Sequence, residues 1–167
     1  MEKGLEYRMY GLVPYNLSPI QQGIQFGHAV QEYNNMIFEK YDMDMLPMDF
    51  DTWRTEDKTF MILNGGTTNG YTGSKNYGTL NQHRDNISEM GVEFAIFCEP
   101  DLGDQLTAVV FLVDERVWNK EKYPDFVQEF TEGDLDGCAE DYLNWVDDMG
   151  GEQNVKLREF LSQFKLA

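Results

Sequence analysis

A chain of 167 residues with 41% hydrophobic and 14% aromatic residues has the size of one domain and enough apolar side chain to bury a core, which excludes wholesale disorder. Its 30 acidic residues against 13 basic ones give a net charge of -17, which excludes nonspecific capture of nucleic acid by a cationic surface and leaves only local RNA contact. No apolar stretch reaches the roughly 18 to 20 residues of a membrane span, and the start lacks a signal peptide's apolar centre, so no membrane contact is expected. Two cysteines, Cys98 and Cys138, supply neither a disulfide framework nor a CxxC metal spacing, which fits a reducing cytoplasm.

The first element in chain order is a strand over residues 7–13, loosely alternating and stopped by Pro14. Ser18 followed by Pro19 is an N-cap and first-turn pairing, and the pattern stays helical to about Lys40. On that helix Gly23, Phe26, Val30, Tyr33 and Ile37 fall within about 80° of one another and predict the buried stripe. Gln21, Gln25, His28 and Glu32 lie opposite, a face that lacks lysine and whose amides can converge on one ligand. Residues 41–57 read as a loop with a short helix near 50–54, and residues 59–63 as a strand. The glycine- and threonine-rich stretch 64–78 reads as a long connection without a phosphate-binding GxxxxGK[ST] pattern.

A helix is predicted over 79–90, capped by Thr79, with Leu80, Arg84 and Ile87 on one side and Gly91 at its stop. A buried strand over 92–98 leads into the carboxylate-rich turn 99–104, and residues 106–113, LTAVVFLV, form the most apolar strand. Beyond Asp114 helices are expected over 124–131, 138–149 and 155–164, packed on the body through Leu143, Trp145, Val146 and Met149. Residues 99–152 hold 16 acidic and 3 basic residues, so -13 of the -17 sits there and -4 elsewhere. The element order describes an α/β fold: a small mixed four-stranded sheet with helices packed on it, plus an acidic helical C-terminal extension.

The stretch MYGLVPYNLSPIQQGIQFGHAVQEY resembles the opening of the archaeal and eukaryotic type of peptidyl-tRNA hydrolase (type 2). That family begins with a strand, a short turn ending in Leu and a helix carrying GK, then Gln, then HA; Leu17, Gln25, His28 and Ala29 stand in register. Trp53 ahead of the second strand, Met90-Gly91-Val92, and FCEPDLGDQLTAVVFL continue the likeness, the last being similar to a phage-encoded branch with an EPD turn and an LTA strand. The resemblance implies a hydrolase-like α/β domain over 1–113, with residues 114–167 as an acidic helical extension on the same core. It departs at two places: the family's lysine is Gln21, and its aspartate turn is altered, with Glu99 or Asp101 in the aspartate's place and Thr107 matching the strand threonine.

The implied reaction is hydrolysis of the ester joining a peptide or N-blocked amino acid to tRNA, in the host cytoplasm if the protein is phage-encoded. It needs an oriented water and a stabilised oxyanion, without metal or cofactor. The implied site gathers Gln21, Gln25 and His28 from the helix with Glu99, Asp101 and Thr107 from the turn and strand. Polar cleft residues contribute little to a core, so alanine at Gln25 or Thr107 is expected to leave the melting temperature nearly unchanged. The alternative is a catalytically reduced protein of the same fold that holds an RNA, nucleotide or protein partner.

Overall fold

Tyr7–Val13 forms strand β1 over the residues expected of it, and Pro19–Lys40 forms helix α1. Leu46 and Pro47 separate a short 3-10 turn, Met43–Met45, from α2, Met48–Thr52, which runs on into a wide helical turn over Trp53–Asp57. Lys58, at φ 50°, ends that turn and starts β2, Thr59–Asn64. The remaining elements are α3 (Thr79–Glu89), β3 (Phe94–Glu99), β4 (Gln105–Asp114), α4 (Glu115–Trp118), α5 (Leu135–Asp148) and α6 (Glu152–Leu161). The computed structural model describes residues 4–68, 77–128 and 135–167. Most of the long connection, including Gly73-Ser74-Lys75, lies outside the described residues.

The four expected strands make one mixed sheet in the order β2-β1-β4-β3. β1 and β2 are parallel, Arg8 opposite Thr59 and Val13 opposite Asn64, so the chain needs a crossover between them, and α1 and α2 supply it. β4 runs antiparallel to both β1 and β3. As an inner strand with helices on both sides it needs a continuous apolar run, which is why LTAVVFLV is buried nearly throughout. One layer, under α1 and α2, packs Met9, Val13, Phe26, Ala29, Tyr33, Ile37, Phe50 and Trp53. The other, under α3, α4 and α6, packs Tyr10, Leu12, Leu80, Ile87, Phe111, Leu157 and Phe160. The backbone of Lys165 to Ala167 runs along the outer edge of β2, with Asn64 N donating to Lys165 O at 2.9 Å and Ala167 N to Ile62 O at 3.0 Å.

Several expected details are corrected. The buried stripe of α1 is Gln25, Phe26, Ala29, Tyr33 and Ile37, while Gly23 is exposed and Val30 half-buried. Gly78, not Thr79, caps α3; the Thr79 hydroxyl instead accepts from Thr67 N at 2.8 Å and holds the strand-to-helix connection. The third strand starts at Phe94, two residues later than expected. Residues 124–128 are not helical, and 129–131 lie outside the described residues. The helix that forms after β4 is instead α4, whose N-terminus is capped by the Asp114 carboxylate accepting from Arg116 N. The extension does pack on the body, through Met149 and through Leu157 and Phe160 of α6, whereas Leu143 is exposed. Among the described residues no helix is long and apolar enough to cross a membrane.

Gly23 and Gly27 sit inside α1, and a Cβ at either would meet nothing within 4 Å. Each glycine costs about 1 kcal/mol against alanine in a helix interior. Gly23→Ala and Gly27→Ala are each expected to raise the melting temperature by about 2–4 °C in calorimetry. Gly11→Ala is expected to lower it, because a Cβ there would lie 2.3 Å from the buried Phe26 ring.

Candidate active site

The register places the ends of three strands together. Val13 of β1 faces Asn64 of β2, Leu12 faces Val109 of β4, and Glu99 closes β3 opposite Gln105. The start of α1 and the turn after Glu99 therefore lie at one end of the sheet, the C-terminal end of the parallel pair, where α/β folds offer clefts. The turn is a short 3-10 segment, Pro100–Leu102, closed by Gly103 and Asp104 in left-handed conformation.

Between the pairs Phe97–Ala108 and Cys98–Leu106 the ladder shifts, so Thr107 is an extra residue in β4, a β-bulge. Leu106 packs into the α3 and α6 layer, whereas Thr107 and Ala108 both turn toward α1. A regular strand alternates faces at every residue. The bulge breaks that alternation and brings the Thr107 hydroxyl beneath α1, where it donates to Gln25 Oε1 at 2.6 Å and lies 3.3 Å from Phe97 O. Gln25 Nε2 in turn donates to Glu99 Oε2 at 2.7 Å, and Glu99 Oε1 accepts from Asp101 N at 3.3 Å. A carboxylate only accepts, so the Gln25 amide has one orientation: nitrogen toward Glu99, oxygen toward Thr107.

Gln25 is 6% exposed and Thr107 fully buried, while Glu99 is half-buried beside an exposed turn. The buried end of this chain of hydrogen bonds thus fixes a carboxylate that still faces outward. Burying an amide requires partners, and the sheet provides them, which is why α1 is rotated toward Gln25 relative to its apolar stripe.

Of the six residues expected at the site, Gln25, Glu99 and Thr107 meet directly, and Asp101 joins through its backbone N–H with its side chain exposed. Gln21 does not point at them. Its Oε1 accepts from Ser18 N at 3.3 Å while its own N–H donates to the Ser18 hydroxyl, a capping box that closes the first turn of α1. His28 stacks on Phe97, ring centroids 4.5 Å apart and 19° from parallel. Phe97 was not anticipated; its position two residues before Glu99, on the same strand face, was the available signal.

No residue gathered here is a lysine or arginine. Neighbouring Cys98 turns into the opposite layer, where burial pushes its thiol up and makes it a poor nucleophile. His83 lies in that layer too, against Phe160 and Phe164, with burial pushing its imidazole down. Among the described residues no group of three or more His, Cys, Asp or Glu is placed to hold a metal ion. No family model, curated protein or solved structure matches the chain.

Proposed function

We propose that the protein is a divergent peptidyl-tRNA hydrolase-like enzyme, hydrolysing the ester between a peptide or N-blocked amino acid and tRNA at Gln25, Glu99 and Thr107. The observation that carries this reading is the 2.7 Å bond from Gln25 Nε2 to Glu99 Oε2 with Thr107 holding the far side of the amide. Three residues distant in sequence meet at the C-terminal end of the parallel strands; Gln25 and Thr107 match the family's pattern, and Glu99 is one of the two carboxylates that stand in the place of its aspartate. Glu99 orients a water and takes its proton as the water oxygen bonds the acyl carbon. The acyl–ribose bond then breaks, and the proton passes to the ribose oxygen. The second Nε2–H of Gln25, the one not directed at Glu99, is the donor for the developing oxyanion.

A second reading is favoured by one observation: Gln21, which takes the place of the family's lysine, is neutral and occupied in the capping box. Under it the same site binds an RNA, nucleotide or protein partner without turnover. Incubating the protein with a labelled N-blocked aminoacyl-tRNA separates the two, since release of the blocked amino acid supports the enzyme and retention of intact tRNA without release supports the binder.

Gln21→Lys is expected to raise the rate of hydrolysis, because a charged donor stabilises a developing anion more than a neutral amide does. It also opens half of the capping box, at a cost of about 0.5–1 kcal/mol that thermal unfolding reads separately. A rate unchanged by Gln21→Lys would remove this position from the reaction.

A further inference from the structure

A second surface, independent of that reaction, lies where α1 hands over to α2. Methionine is usually a core residue, yet Met43, Met45 and Met48 are 62%, 71% and 76% exposed within six residues of chain. Two residues beyond Met48 in the chain, Phe50 starts a floor with Trp53 on which the exposed Phe38 and Phe60 rest, with ring centroids 5.6 Å apart for Phe38–Phe50 and 5.8 Å for Trp53–Phe60. The apolar atoms are flexible thioethers and ring edges, the kind of surface that adapts to a partner's side chains.

The charge around the patch selects that partner. Residues 39–57 hold seven carboxylates and two cations. Both cations are engaged, Lys40 with Glu93 and Arg54 with Asp51, and no ion pair reaches Asp42 or Asp44 among the described residues. A second copy of this chain would bring the same negative patch and a net charge of -17. RNA and anionic lipid are repelled for the same reason.

We propose that the surface formed by Phe38, Met43, Met45, Met48 and Phe60 docks a cationic amphipathic helix of another protein, its apolar side on the methionines and its Lys or Arg residues toward Asp42 and Asp44. This is a helix-on-apolar-surface mode in which the methionines supply contact area and the aspartates supply orientation and on-rate.

The test titrates the intact protein with a labelled synthetic Lys/Leu amphipathic peptide of about 18 residues, near 0.15 M salt where diffuse attraction is screened to about 8 Å. A Glu/Leu peptide of the same pattern is the control. Saturable binding is expected for the cationic peptide alone, weakened at least about tenfold by the triple variant Met43→Ser, Met45→Ser, Met48→Ser, which leaves charge unchanged. The three side chains are exposed, so the variant's melting temperature should match that of the parent and folding is not in question. Equal binding by parent and triple variant would overturn the proposal in favour of unspecific charge attraction. So would binding of the Glu/Leu peptide, the absence of saturable binding, or a dimer in sedimentation that the triple variant abolishes.

Discussion

Glu99→Gln is expected to lower hydrolysis of N-blocked aminoacyl-tRNA by about two to four orders of magnitude, the range that a positioned proton acceptor contributes. Its value lies in what it leaves alone. A glutamine at this position still offers a carbonyl oxygen to Gln25 Nε2, now 2.7 Å from Glu99 Oε2, so the hydrogen-bonded chain through Thr107 can persist. The amide gives up the longer contact from Asp101 N, 3.3 Å in the parent, so stability should fall by about 1 kcal/mol, and a rate loss far beyond that reads the carboxylate's chemistry. Unchanged turnover in this variant would move the reaction away from Glu99. Gln25→Ala and Thr107→Val are poorer probes, because both residues are buried and each variant strands a partner. Each is expected to cost about 1–3 kcal/mol, which corrects the expectation that such residues can be removed without thermal consequence.

The largest effect on stability is expected at Arg158. Only 5% exposed, its guanidinium donates to Arg116 O at 2.6 Å, to Tyr123 O at 2.5 Å and to Asp125 Oδ1 at 2.9 Å. One side chain of α6 thereby satisfies the backbone of α4 and of the irregular segment after it. Arg158→Met keeps most of the apolar stem but orphans both carbonyls, and should cost about 3 kcal/mol. That corresponds to a fall of about 6–12 °C in melting temperature. The acid limb tests the same contact. The hydrogen bond from Arg158 holds the Asp125 carboxyl below the usual aspartate range, so its contribution is present at neutral pH and is lost as the pH falls below that range, through the lowered folded-state value. Asp125 is largely exposed and solvent screens the pair, so the acid-sensitive part should be small, and smaller still in the variant, where only Lys120 remains beside the carboxylate.

The local chemistry of the chain made much of the fold legible. Pro14 ends β1, Ser18 with Pro19 starts α1, and LTAVVFLV reads as an inner strand because nothing polar interrupts it. The carboxylate turn was legible for the same reason, since Pro100 and Gly103 bound it. The site was harder to read because its key residues obey long-range terms. Gln25 looked solvent-facing on a helical wheel, and only Thr107 and Glu99, 82 and 74 residues away, make its burial affordable. Gln21 looked like a ligand for substrate, yet its nearest unsatisfied group is the N-cap three residues back. α4 escaped notice because four residues carry too little periodicity to signal a helix.

The bulge at Thr107 acts as a phase shift in β4. Deleting that one residue would restore regular alternation and leave its neighbours on their present faces, Leu106 opposite Cys98 in its layer and Gln105 opposite Glu99. Substitution alone therefore cannot interconvert a regular strand and this one; the step requires an insertion or a deletion. A chain that gained the extra residue would acquire a threonine under the helix in a single event, with the strand on either side of it facing as before. One that lost it would forfeit the partner of Gln25 Oε1 while keeping every other amino acid.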